Sequence, residues 1–184
     1  MLLERLVSKM KIAWFCIPAH GHTNPTLGLV KEMIDAGHEV TYFSFEKFRE
    51  KIEGTGATFV PCDAYDLDID AKEGGNRVGK DLAFSIELIV ESTLAMDGLM
   101  GRVIPDMKPD LIVADSMAFS GKLAAIKFGI PYVCSTTTFA FNRYSAKYMD
   151  QGMRGLFSTL LALPKIKRQL KRLQEMGYPV KSFL

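Results

Sequence analysis

Short, almost uninterrupted apolar runs alternate along this chain with segments of helical spacing, and that alternation leaves few folds open. The first run, residues 12–17, ends at Pro18, as suits a strand buried on both faces. A helix is expected over 25–36, with Leu27, Val30 and Ile34 on its apolar face. Asn24 reads as its N-cap, Pro25 as part of its first turn and Gly37 as its close. A strand over 38–45, a short charged helix over 46–53 and a strand over 57–60 come next. Residues 62–80, polar and rich in Asp and Gly, read as a long loop, functional or mobile. Helical spacing resumes over 81–104, and Pro105 and Pro109 punctuate the stretch beyond it. A fourth strand (111–114) ends at Asp115, a helix (119–128) closes at Gly129, and a fifth strand covers 131–135. From about Ser145 the chain is mostly helical, interrupted near Pro164.

Apolar strands in strict alternation with helices predict an α/β fold, a Rossmann-like parallel sheet with helices on both faces. A length of 184 residues suits one such domain, and 48% apolar against 24% charged residues allows a proper core. Residues 1–10 read as an N-terminal extension, without the features of a signal peptide, and 11–184 as the domain. The formal charge of +2 gives no case for nucleic acid or an anionic membrane as partner, and no apolar run is long enough to span a bilayer. Cys16, Cys62 and Cys134 show no paired spacing, which argues against a disulfide framework or a zinc site and for a cytoplasmic home. Cys16 and Cys134 fall in expected strands and read as core.

In parallel sheets of this kind, ligands bind beyond the carboxyl ends of the strands. The turns there hold His20, His22 and Asp115. His22 lies where a strand gives way to a helix, beside the positive end of the helix dipole, a place suited to a neutral ring that accepts a proton. A hydroxyl nucleophile needs such a base. A polar turn residue that helps cap the helix would look the same. Asp115 can orient an imidazole through one ring nitrogen, or simply cap the turn that begins at Ser116. His38 needs no more than a place in a surface turn.

The stretch Pro18-Ala19-His20-Gly21-His22-Thr23-Asn24-Pro25 resembles the opening of family 1 glycosyltransferases, most closely the bacterial macrolide-modifying branch. Gly28 to Met33, Ala36 to Thr41, Gly54 to Ala57, Pro109 to Asp115 and Phe128 to Pro131 continue the resemblance in the family's order. It implies the N-terminal, acceptor-binding half of a GT-B fold. It also implies inverting transfer of a hexose from a UDP-sugar to a hydroxyl of a small, largely apolar acceptor such as a macrolide or phenolic. The roles it carries over are general base for His22, three residues before Pro25, and orienting carboxylate for Asp115. His20, Gly21, Asn24, Phe139 and Phe141 fall where an acceptor would bind, although Phe139, Phe141 and Tyr144 suit ordinary core packing nearly as well. No cofactor or metal is implied, and the partners are a small-molecule acceptor and a nucleotide-sugar donor.

Asp66, Asp68 and Asp70 alternate like the metal motif of the other major transferase fold, but a loop offers no rigid frame for converging oxygens. The basic segment 165–173 reads as a solvated helix that packs Ile166, Leu170 and Leu173 on the domain. A dinucleotide-dependent oxidoreductase would require Gly-x-Gly-x-x-Gly after the first strand, where only Gly21 stands, although Glu46 does lie after the second. The signature of a donor-binding domain is absent from the sequence. The expectation is a fragment, inactive by itself; the alternatives are one chain of a split enzyme or a non-catalytic acceptor-binding or scaffold subunit, each paired with a separate donor-domain chain.

Overall fold

The computed structural model describes residues 8–65, 77, 81–137 and 152–180. Five strands form one sheet: β1 Lys11–Phe15, β2 Glu39–Ser44, β3 Thr58–Pro61, β4 Leu111–Asp115 and β5 Tyr132–Ser135. Their order is β3-β2-β1-β4-β5, and every pairing is parallel. The helices are α1 His20–Asp35, α2 Arg49–Glu53, α3 Leu82–Met107, α4 Phe119–Phe128 and α5 Gly152–Glu175, with 3-10 turns at Glu46–Phe48 and Asp63–Tyr65. The expected α/β fold is the one that forms.

Alternation along the strands builds two buried faces. On one, Ile12, Trp14 and Cys16 of β1 and the segment just after it cluster with Val40, Tyr42, Phe59 and Val113, closed by Val30 of α1 and Ile52 of α2. Trp14 stacks on Tyr42 with ring centroids 5.9 Å apart. Burial of side chains this large contributes about 1.5–3 kcal/mol each. The Tyr42 hydroxyl meets Thr26 Oγ1 at 2.8 Å, and Thr26 donates in turn to the Thr23 carbonyl, so these two hydroxyls are paired, whereas the buried Trp14 Nε1 has no hydrogen-bond partner among the described residues. On the other face Phe15 stacks on Phe43 at 4.3 Å. Here α4 approaches so closely that a Cβ on Gly121 would sit 2.7 Å from the Phe15 Cβ. Only glycine allows that approach.

Helix α1 begins earlier than the sequence suggested. Ala19, in extended conformation, is its N-cap, and the Ala19 carbonyl accepts the N–H groups of His22 (3.0 Å) and Thr23 (2.9 Å). The first helical turn therefore forms at once after the Pro18 bend, and Asn24 lies inside the helix instead of capping it. Asn24 is exposed and accepts from Lys51 Nζ at 3.3 Å. Pro25, inside the helix, lacks the N–H that would bond to the carbonyl of Gly21. Gly21 is exposed, so solvent can take over that carbonyl. At the other end Gly37, at φ +95°, donates to the Ile34 carbonyl while His38 donates to that of Met33. This paired pattern ends a helix on a left-handed residue, where glycine costs least.

Two more prolines were expected to break helices and do not. Pro105 falls within the last turns of α3, and Pro164 lies within α5. Beyond Pro164, Ile166, Gln169 and Leu173 are all buried on one side of α5, which outweighs a single missing backbone bond. Cys134 corrects another expectation. As part of β5, which among the described residues has only β4 beside it, it is exposed together with Tyr132 and Val133, whereas Cys16 is buried.

Contacts divide the chain into two compact units, Met1–Ala64 with Leu99–Thr138 and Tyr65–Gly98 with Phe139–Leu184. The sheet belongs to the first. Within the second, Arg172 of α5 forks onto the Glu91 carboxylate, Lys165 meets Glu87 Oε2 at 2.7 Å and Tyr178 donates to Asp97 at 2.6 Å. The Arg172 guanidinium holds the Glu91 carboxyl below its ordinary range. Among the described residues, no helix is long and apolar enough to cross a membrane.

Candidate active site

The strand order reverses direction between β1 and β4. From β1 the chain leaves through α1 towards β2, and from β4 it leaves through α4 towards β5, on the opposite side. Connections that diverge from two adjacent parallel strands open a crevice at their carboxyl ends. His22 stands in the first turn of α1, immediately beyond β1, and Asp115 is the last residue of β4. The topology thus joins two side chains that are 93 residues apart in sequence.

His22 Nδ1 lies 2.9 Å from Asp115 Oδ2. The Asp115 carboxylate is fully buried, and burying a charge is costly unless it is bonded. Here it is bonded on both oxygens. Oδ1 accepts the Met117 N–H at 2.8 Å, and Oδ2 accepts from His22. The Asp115 carbonyl takes the Ala118 N–H at 2.9 Å, and Ser116 N–H reaches the Ser135 carbonyl at 2.8 Å, which fixes the turn against β5. A carboxylate facing Nδ1 requires a proton on that nitrogen, and in the neutral ring this leaves the lone pair on Nε2. The His22 side chain is 17% exposed, and among the described residues its Nε2 has no hydrogen-bond partner. The arrangement is an imidazole oriented from behind by a buried carboxylate and open in front.

A third side chain joins the pair. Thr137, two residues past β5, places Oγ1 3.1 Å from His22 Nδ1 and 3.4 Å from Asp115 Oδ2. Sequence reading missed it. The available signal was the hydroxyl run from Ser135 to Thr138 at the carboxyl end of the strand beside β4, the same place that pointed to Asp115.

The remaining candidates are distributed around the pair. His20 is exposed and sets its ring edge-on to Phe48, with centroids 4.9 Å apart, and it does not join His22 and Asp115. Gly21 is exposed, and a Cβ there would meet nothing within 4 Å. Asn24 faces outward towards Lys51. Phe139, Phe141 and the acids at 66, 68 and 70 lie outside the described residues. Beneath the site, Cys16 Sγ sits 3.7 Å from Thr23 Oγ1, and burial pushes its thiol above the ordinary range. That thiol is a packing group, not a nucleophile. Among the described residues no three His, Cys, Asp or Glu side chains gather as metal ligands would.

No protein-family model matches the chain. Individual proteins do. It is 34% identical over 136 residues to the NDP-glycosyltransferase YjiC of Bacillus subtilis (strain 168), an alignment that covers 74% of this chain and 34% of that protein. Against the demethyllactenocin mycarosyltransferase of Streptomyces fradiae the identity is 32% over 142 residues, covering 73% of this chain and 31% of the relative. The crystal structure of the kitacinnamycin glycosyltransferase matches with a TM-score of 0.71 over 96% of this chain and 43% of that one; at 21% identity this likeness shows the fold alone. The chain spans about a third of the length of the curated relatives it matches.

Proposed function

We propose, on the premise that this chain is a relative of the bacterial glycosyltransferases of the GT-B fold, that it is the acceptor-binding half of an inverting sugar transferase. His22 acts as general base and Asp115 orients it. The observation that carries the reading is the 2.9 Å contact between His22 Nδ1 and a fully buried Asp115, at the point where the strand order reverses. As the acceptor hydroxyl approaches, His22 Nε2 removes its proton, and the oxygen attacks the anomeric carbon of a UDP-hexose. The bond to the diphosphate oxygen breaks, UDP leaves with the electron pair, and configuration at that carbon inverts. Asp115 holds the ring in the productive tautomer and steadies the positive charge that forms on it. A base of this kind is worth roughly 100- to 10,000-fold in rate.

The acceptor is a small, largely apolar hydroxyl compound, a macrolide or phenolic, bound near His20, Gly21 and Asn24. Support comes from the open space over Gly21 and from relatives whose names carry demethyllactenocin and oleandomycin. The donor diphosphate is held by a second, donor-binding half, in the same polypeptide or in a partner chain, and the reaction proceeds in the cytoplasm. Neither the imidazole nor the departing diphosphate calls for a cation in this scheme, so a chelator should leave the complete enzyme's rate unchanged. A loss restored by magnesium or manganese would bring the acids at 66, 68 and 70 back as a site.

The isolated 184-residue chain should bind an apolar acceptor weakly and transfer no sugar. Positioning the sugar carbon against the attacking oxygen can be worth about 7–11 kcal/mol of the barrier, and a base alone cannot supply that. Incubation with labelled UDP-glucose and a panel of phenols and macrolides tests this. Transfer by this chain alone, at the rate of a complete enzyme, would place the donor site within these residues and overturn the reading.

A further inference from the structure

A base and its orienting carboxylate would suffice for the proposed reaction, yet the cluster has a third member. Resting on the reading of His22 as base, we propose that the Thr137 hydroxyl is a positioning group that fixes which nitrogen of His22 carries the proton. A threonine hydroxyl has one hydrogen to give and lone pairs to receive with. Its oxygen lies 3.1 Å from His22 Nδ1 and 3.4 Å from Asp115 Oδ2, so two assignments are open.

In the first, Thr137 donates to Nδ1. The Nδ1 lone pair would then lie 2.9 Å from an oxygen of a buried carboxylate, with no proton between them. Two electron-rich atoms at that distance repel, and a fully buried Asp115 has no solvent to soften the contact. In the second, the Thr137 hydrogen turns towards Asp115 Oδ2. The distance of 3.4 Å is long for such a bond, but the interaction is attractive. The hydroxyl lone pair then faces Nδ1–H, and both neighbours of Nδ1 are acceptors. The second assignment leaves no repulsive contact in the cluster.

Its consequence is mechanical. Met117 N–H grips Asp115 Oδ1 from the backbone, and Thr137 closes on Oδ2 from the carboxyl end of β5. The carboxylate is held between two elements, and the ring proton is held between the carboxylate and the hydroxyl. Without the hydroxyl, only one acceptor keeps the proton on Nδ1. The population of rings with their Nε2 lone pair free should fall.

Ring-nitrogen NMR on the 184-residue chain reads this directly and needs neither donor nor turnover. The chain has three histidines, so single His→Gln variants assign the signals. The parent should show His22 with its proton on Nδ1 and Nε2 bare. In Thr137→Val the two 15N shifts should move towards each other, the minor tautomer rising about 2- to 10-fold for one lost hydrogen bond. Thr137→Ser should restore the parent spectrum. Should amide dispersion show that the valine chain does not fold, Thr137→Ala gives the same readout. Parent-like shifts in the folded valine or alanine variant would overturn the role of Thr137 while the His22–Asp115 pair stands, and so would a serine variant that behaves like valine. A parent ring protonated on Nε2 would instead remove the base assignment itself.

Discussion

Two histidines at opposite ends of the same sheet show how its ends differ. At the amino end, His38 Nδ1 accepts the Met10 N–H at 3.2 Å, so its lone pair is spent on the backbone and its proton belongs on Nε2. At the carboxyl end, His22 Nδ1 faces a carboxylate, so its proton belongs on Nδ1 and the Nε2 lone pair is free. The carboxylates obey the same division. Asp110 accepts the Lys11 N–H at 2.8 Å and fastens the start of β1, while Glu39 pairs with Lys9 in the open, with side chains 53% and 63% exposed. Asp115 has no exposure at all and spends one oxygen on another side chain. Charged groups at the amino end fasten strands and meet solvent. At the carboxyl end, the buried Asp115 is aimed at His22.

Matched substitutions can break that comparison. Asp115→Asn should lower kcat of the complete enzyme about 100- to 10,000-fold, because an amide can present its N–H to Nδ1 and draw the ring proton to Nε2. Asp110→Asn keeps an acceptor for the Lys11 N–H and should leave kcat where it was. Equal effects from the two, read in steady-state kinetics, would mean that the ends of the sheet do not differ as described.

The next effect is on stability. Gly121→Ala puts a methyl 2.7 Å from Phe15, which is 1% exposed and already stacked on Phe43. Replacing a helical glycine by alanine ordinarily gains about 0.5–1 kcal/mol. Overpacking costs about 1–3 kcal/mol, so the clash should win and the denaturation midpoint should fall. A rise in the midpoint would show that Phe15 can yield. The smallest effect belongs to the amino end. Lys9 holds the Glu39 carboxyl below its ordinary range, yet the pair is open to water, and Glu39→Gln should leave the midpoint within experimental scatter. A clear loss would make that end more than a set of solvated fasteners.

The legibility of the sequence obeys the same physics. Alternating apolar runs showed the sheet and its class, because burial on two faces leaves a direct imprint on residue choice. The ends of α4 were equally clear, since Gly129 at φ +67° marks its close. Helix starts were harder. Asn24 and Pro25 have the chemistry of a helix start, yet the Ala19 carbonyl begins α1 five residues earlier with no side-chain cap. Pro105 and Pro164 misled in the same way, because local propensity cannot see the tertiary contacts that carry a helix through a proline. Cys134 looked like core because strand residues are usually covered, and the sequence does not say which strand lies at an edge. In the site, His22 and Asp115 were visible as a turn motif and a strand ending. Thr137 was not, since a hydroxyl after a strand has no signature until the strand's neighbour is known.

The central claim concerns one ring of two that share a turn. In the complete enzyme, with acceptor varied at saturating donor, His22→Ala should lower kcat on the order of 100-fold or more while the acceptor KM changes little, because a base acts chiefly in the transition state. His20→Ala, which removes an exposed ring set against Phe48 on the proposed acceptor side, should act on the acceptor KM and retain most of kcat. A large loss in His20→Ala beside a mild one in His22→Ala would contradict the account.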